Sequence, residues 1–202
     1  MAPKFKVNRE QIVHAAYEIL EASGIQAVTT RSIAESLGIS SRPIYSFFPS
    51  MEKVQDALVD ECAKIMREYM TRPFTDEAFL NMGVGFVAFY REKRYVAEFM
   101  EKYWLSEGIQ KVENEVFNGF YEKVKNQEHY SKLTREQLWL IYQKMSTFTY
   151  GLVMHTRTSG ADLTEEAIIK VLEETGEALI VHQLWVNDGK PGVKAPDFHV
   201  GK

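Results

Sequence analysis

Apolar residues recur at intervals of three and four along most of the chain, and nowhere alternate with a period of two, so the pattern predicts helices and no strands. Ile12, Val13, Ala16, Ile19 and Leu20 form one stripe, between Asn8, suited to cap a helix start, and Gly24, suited to stop one. Ile33, Ala34 and Leu37 share a face in a second, shorter segment that Thr29 or Thr30 can cap. Gly38 falls where a left-handed residue ends a helix, and Ser40 is placed as N-cap of the next. In that third helix Ile44 and Phe48 lie four apart and point back at the second, leaving Ser41, Arg42, Tyr45 and Ser46 outward. Pro43 sits in its first turn, where a missing N–H costs nothing. After Pro49, Ser50 caps a long helix over 51–70 that closes before Pro73. Further helices are expected at about 75–92, 94–105, 107–127, 134–157 and 164–186, which makes an all-α chain of about nine helices.

Two short helices joined by a break this tight must cross, and the outward face of the second is shaped to enter a DNA major groove N-terminus first. Ser41, Arg42 and Pro43 are the candidates for base contact, with Arg42 the side chain able to grip a guanine edge with two hydrogen bonds. Thr29, Thr30, Arg31, Tyr45 and Ser46 are candidates for positioning on the sugar-phosphate backbone, with Ser40 beside them. Phe47, if exposed, would meet a thymine methyl or a sugar.

The run T-x-R-x-I-A-x-x-x-G-I-S from Thr29, followed by I-Y-x-x-F from Ile44, with an amphipathic helix in front, resembles the DNA-binding domain of the TetR family of bacterial transcriptional regulators. The resemblance covers about residues 8 to 60. It departs from the family at Phe47, where His is usual, and at Met51, where Lys is frequent. It implies a helix-turn-helix domain over 1–49 and a helical ligand-binding and dimerisation domain over 50–187; the stretch over 188–202, rich in Gly, Pro and Lys, reads as a loose tail. The helix at 51–70 would then be the lever between sensor and reader.

The second domain is dense in rings and methionines, which can fill a core or enclose a cavity that takes an apolar or aromatic molecule. Phe86, Phe89, Tyr90, Met100, Tyr103, Trp104, Phe120, Tyr142, Met145 and Phe148 are the candidate ligand residues. Gly83 and Gly85 inside one expected helix fit either a cavity or a close helix crossing. The last two helices are apolar over more than half their circumference and need cover on two sides, most simply from the domain and from a second copy. Leu152, Ile168, Leu172, Thr175, Gly176, Leu179, Ile180 and Gln183 are the expected dimer residues. A two-fold dimer would set two reading helices about 34 Å apart and bind a near-palindromic operator.

Charge adjusts this picture. The net charge is −4, yet residues 1–50 carry +1 and the remainder −5. DNA affinity must therefore come from placed groups and pairing of heads, not from a general positive field. Cys62 is the lone cysteine, which excludes an internal disulfide and suits a reducing cytosol. No apolar run approaches the roughly 20 residues that span a bilayer, and the stretch MAPKFKVNRE has no signal-peptide core, so no membrane partner is expected and the compartment is cytoplasmic. No metal-spaced cluster, G-x-S-x-G or phosphate-cradling loop appears, and the five histidines are scattered, so neither an enzyme, a metal nor a cofactor is expected. The combined reading is a dimeric repressor released from its operator by a small apolar or aromatic effector. A DNA-bound adaptor answering to a protein partner, and an activator, are the alternatives.

Overall fold

The first helix shows how literally the local signals are obeyed. In the computed structural model, which describes residues 7–103, 106–160 and 163–189, α1 spans Arg9–Ser23. Asn8 Oδ1 accepts from Gln11 N at 2.8 Å while Gln11 Oε1 accepts from Asn8 N at 3.0 Å, a reciprocal cap that satisfies two orphan donors. Gly24, at φ +79°, ends the helix. Residues 1–6, the candidate ligand residue Trp104, and the expected tail beyond Gly189 lie outside the described residues.

A 3₁₀ turn at Ile25–Ala27 leads to α2 (Thr30–Ser36), α3 (Arg42–Phe47) and the twenty-residue α4 (Met51–Met70). Then come α5 (Ala78–Glu92), α6 (Arg94–Met100) with a 3₁₀ turn at Glu101–Tyr103, α7 (Glu107–Val124), α8 (Arg135–Ser159) and α9 (Glu165–Asn187). The expected all-α architecture is thus present, and the described residues contain no strand.

Packing divides the chain into two units that cut across these helices. One comprises 1–74 and 85–116, the other 75–84 and 117–202. In the first, Ile12 and Leu20 of α1 meet a core completed by Ile33, Ile44, Phe48, Val54 and Leu58, all at most 2% exposed. Burying side chains of this size contributes about 1.5–3 kcal/mol each, and without α1 and α4 the short α2 and α3 would have nothing to fold against. The Arg9 guanidinium lies 4.8 Å from the Phe48 ring centre and covers this core at its edge. Cys62 is fully buried, and burial pushes its thiol up, away from the reactive thiolate.

Gly85 makes the first unit possible. A Cβ there would stand 2.1 Å from the Tyr69 carbonyl oxygen, so α5 crosses the end of α4 backbone against backbone. A close helix crossing therefore accounts for Gly85. At Gly83 the neighbour is Leu172 Cδ1, 3.1 Å from where a Cβ would be.

In the second unit α8 and α9 run antiparallel. Thr134 and Gln137 cap α8 reciprocally, and Thr164 Oγ1 accepts from Ala167 N to start α9. At the far end of α9, Asn187 Nδ2 donates to the Lys132 carbonyl and to Gln137 Oε1, both at 3.1 Å. Gly176 lies against Phe79 and Met145, while Ile168 and Leu172 are at most 2% exposed.

Candidate nucleic-acid interface

The candidate interface begins at Thr29, the N-cap of α2. Its Oγ1 accepts from Ser32 N at 3.0 Å, and Ser32 Oγ both accepts from Thr29 N and contacts the Ala27 carbonyl at 2.7 Å. A serine at the third helical position does here what a glutamate usually does. Sequence reasoning passed over Ser32; its signal was the T-x-x-S spacing ahead of Ile33.

At its other end α2 stops by a two-bond motif. Gly38, at φ +64°, sends its N–H to the Glu35 carbonyl, and Ile39 N reaches the Ala34 carbonyl at 3.0 Å. The expected cap on α3 is corrected. Ser41, not Ser40, is the N-cap residue, and it lies in helical backbone geometry with no side-chain cap bond. The turn after Gly38 is one residue longer than a Ser40 cap allows, and Pro43 at the second helical position removes one of the donors such a cap would have served.

The face that results is compact and polar with two rings on it. Ile44 and Phe48 are buried beneath it, whereas Arg42 and Ser46 are exposed, Tyr45 is 56% exposed and Phe47 44%. Exposing two rings on a six-residue helix has no packing rationale within the chain. Thr30 Oγ1 lies 3.4 Å from the Tyr45 hydroxyl and links the start of α2 to the outer face of α3. Ser46 Oγ donates to the Arg42 carbonyl at 3.3 Å. Ser41 and Pro43 are half-buried; Ser40, Thr29 and Arg31 are exposed. Arg31 Nε donates to Glu35 Oε1 at 2.8 Å, so its guanidinium must leave or share that carboxylate to reach a phosphate. Glu35 is a second residue that sequence reasoning did not single out.

The expected ligand residues fall into two groups. Phe86, Phe89 and Tyr90 cluster in the first unit, with ring centres 4.9 and 5.8 Å apart, and Tyr103 packs 5.0 Å from Phe99 beside buried Met100. Phe120, Tyr142 and Met145 are buried in the second, where Phe117 touches Trp139 and Phe120 touches Tyr130. Phe148 does not join them: it is an exposed residue of α8, on the same face as Leu140 and Gly151.

Among the polar groups of the first unit, Glu113 stands out. It lies on α7 between Ile109 and Val116, both buried, and loss of water alone raises its carboxyl above the usual carboxylate range. A raised folded pKa means that the folded chain binds the proton more tightly, so this site loses stability as pH rises from the ordinary carboxylate range to neutrality. Glu113→Gln should raise the thermal midpoint at pH 7 and give no gain near pH 4. A midpoint unchanged at both pH values would show the carboxylate to be adequately solvated.

The expected dimer residues are also divided. Ile168, Leu172 and Gly176 are buried within their own unit, packed on Gly83, Phe79 and Met145, and are not free to meet a second copy. Leu152, Thr175, Leu179, Ile180 and Gln183 are half-buried. The exposed apolar face lies one helical step round, at Leu140 and Phe148 on α8 and Val181, Trp185 and Val186 on α9. A Cβ on Gly151 of α8 would meet nothing within 4 Å.

A capped three-helix head with its second crossing helix laid open has the form of a helix-turn-helix domain. Residues 12–58 match the family of bacterial regulatory proteins, tetR family. The chain is thus similar to this family over its helix-turn-helix head. It is 32% identical over 79 residues to the nucleoid occlusion factor SlmA of Vibrio cholerae serotype O1, which is 38% of this chain and 40% of that protein. It is 34% identical over 64 residues to the tetracycline repressor protein class D of Escherichia coli, 32% of this chain and 29% of that one. The matched stretch thus spans well under half of these relatives' lengths. Over the fold, a tetR-family transcriptional regulator from Streptomyces coelicolor superposes with a TM-score of 0.62 at 14% identity, covering 90% of this chain and 92% of that chain. No helix among the described residues is long and apolar enough to cross a membrane, and they hold no group of three or more His, Cys, Asp and Glu placed for a metal ion.

Proposed function

We propose that the protein is a cytoplasmic transcriptional repressor that binds a near-palindromic operator as a homodimer and is released by a small apolar or aromatic effector. The observation that carries the DNA-binding part is the outer face of α3, where Arg42, Tyr45, Ser46 and Phe47 are exposed above a fully buried Ile44 and Phe48. The relative named for tetracycline repression supports a ligand-released repressor, and the ring-rich interiors of both units support an apolar effector. In this reading residues 1–49 read DNA while 50–187 sense and pair. The effector acts through its different affinity for the two arrangements of the heads.

The second reading, a DNA-bound adaptor controlled by a protein partner, is favoured by the relative named as a nucleoid occlusion factor. Selection from random double-stranded DNA at roughly physiological salt, followed by sequencing, tests the main reading. An inverted repeat is the expected result; a folded protein that enriches no motif would reject it.

Arg42→Ala should relax the preference at one position of each half-site and cost about 1–3 kcal/mol per half-site. A variant with unchanged discrimination would remove Arg42 from the base-contacting set.

A further inference from the structure

The corner between α5 and α6 presents successive residues to two different helices of the first unit, α4 and α1. Glu92, the last residue of α5, accepts a 2.6 Å hydrogen bond from the Tyr69 hydroxyl at the end of α4. Arg72, just past α4, stacks 3.6 Å from the Tyr69 ring centre and lies 3.9 Å from the same carboxylate. Lys93, next in the chain, turns the other way and pairs with Glu21 near the end of α1, where Glu21 also accepts from Tyr17 at 3.2 Å. The hydrogen bond to Glu21 raises the Lys93 ammonium above its ordinary value, and both partners are only partly exposed. Two residues further on, the Tyr95 ring lies 3.3 Å from the point where Gly24 would carry a Cβ. Gly24 is already required by its φ of +79°, so the end of α1 is shaped by the turn and by the ring together.

We propose that Lys93 and Tyr95 are positioning residues for DNA reading: they hold the end of α1, the helix on which α2 and α3 are built, in fixed register with the end of α4. Glu92 ties the same corner to Tyr69 and Arg72. The head is then attached at two places, through the covalent run into α4 and through this bracket. Two attachments resist rotation where one would act as a swivel. A partly buried ion pair and an aromatic contact are suited to this, because both depend on geometry more than on contact area. The consequence for reading DNA rests on the regulator function proposed above; the bracket itself does not.

The test uses the full chain with Lys93→Met and Tyr95→Ala combined, and two controls. Lys93→Arg keeps a cation for Glu21, and Glu21→Lys with Lys93→Glu rebuilds the pair in reverse. Hydrogen exchange is followed separately in α1–α3 and in α8–α9. Amides of α1–α3 in the double variant should exchange at least tenfold faster, those of α8–α9 should keep their rates, and both controls should sit near wild type. Unchanged exchange in α1–α3 overturns the proposal. So does an equal rise in α8–α9, which would make the corner a contributor to general stability only. With the selected operator in hand, the double variant should tolerate half-site spacings one base pair longer or shorter that the wild type rejects; a spacing preference identical to wild type removes the link to DNA reading. If the wild type selects no motif, the regulator reading fails and the exchange data alone decide the bracket.

Discussion

Val181→Asp combined with Trp185→Asp should give a folded monomer that no longer holds the operator. Val181 and Trp185 lie four apart on α9, 54% and 46% exposed, with Ala178 and His182 exposed on the same face. Leu140 and Phe148 lie on α8, the antiparallel neighbour. Exposed apolar residues of this size lined up on two adjacent helices signal a partner surface. Two such helices from each copy would form a four-helix interface with two-fold symmetry. Two buried carboxylates facing their own symmetry mates would prevent it, since each ion loses water and gains only repulsion. Losing the second half-site removes the high effective concentration that a paired head supplies, so operator affinity should fall by roughly a hundredfold or more. Sedimentation and operator titration check the two halves together. Dimers that persist in the variant would place the interface elsewhere. Leu172→Asp tests a different property: that side chain is buried against Gly83, and a charge there should unfold the second unit.

Gly85→Ala should destabilise the protein by roughly 3 kcal/mol or more, the upper end of what overpacking costs. The added methyl would meet the Tyr69 carbonyl oxygen at 2.1 Å, the carbonyl carbon at 2.6 Å and the Met70 Cα at 2.8 Å. These are backbone atoms, which cannot turn aside as a rotamer can. The only relief is for α5 to lift off the end of α4, and that would also stretch the Glu92 bond to Tyr69. Gly83→Ala, two residues earlier on the same helix, is the internal control. Its nearest neighbour is the tip of the Leu172 side chain at 3.1 Å, a flexible group. The roughly 1 kcal/mol that alanine gains over glycine in a helix should offset most of the crowding. Thermal unfolding of the two variants should differ widely; equal midpoints would mean that the α4–α5 crossing relaxes freely.

The helical plan was legible because its signals are local. Asn8 and Ser50 cap the helices they were placed to cap, and Gly24 and Gly38 end theirs with positive φ. Where a local signal failed, a neighbouring one overrode it: Ser40 yielded to Ser41 because the turn and Pro43 shifted the start of α3. The outward residues of α3 could be named from spacing alone, since Ile44 and Phe48 define the inward face. Their neighbours Ser32 and Glu35 were missed because they act through hydrogen bonds to residues three to five positions away, which periodicity does not register.

The sequence by itself determined the helices of the described residues, their limits within a few residues, and the side of α3 that faces solvent, because all three follow from interactions within a few turns of backbone. The tertiary structure decided which apolar stripe of α9 is used inside the fold and which is left exposed, that Gly85 exists for a backbone crossing, and that Lys93 reaches Glu21 seventy-two residues away. Those outcomes depend on which helix comes to lie against which, and a stripe that is apolar on two sides carries no mark of which side its own chain will cover.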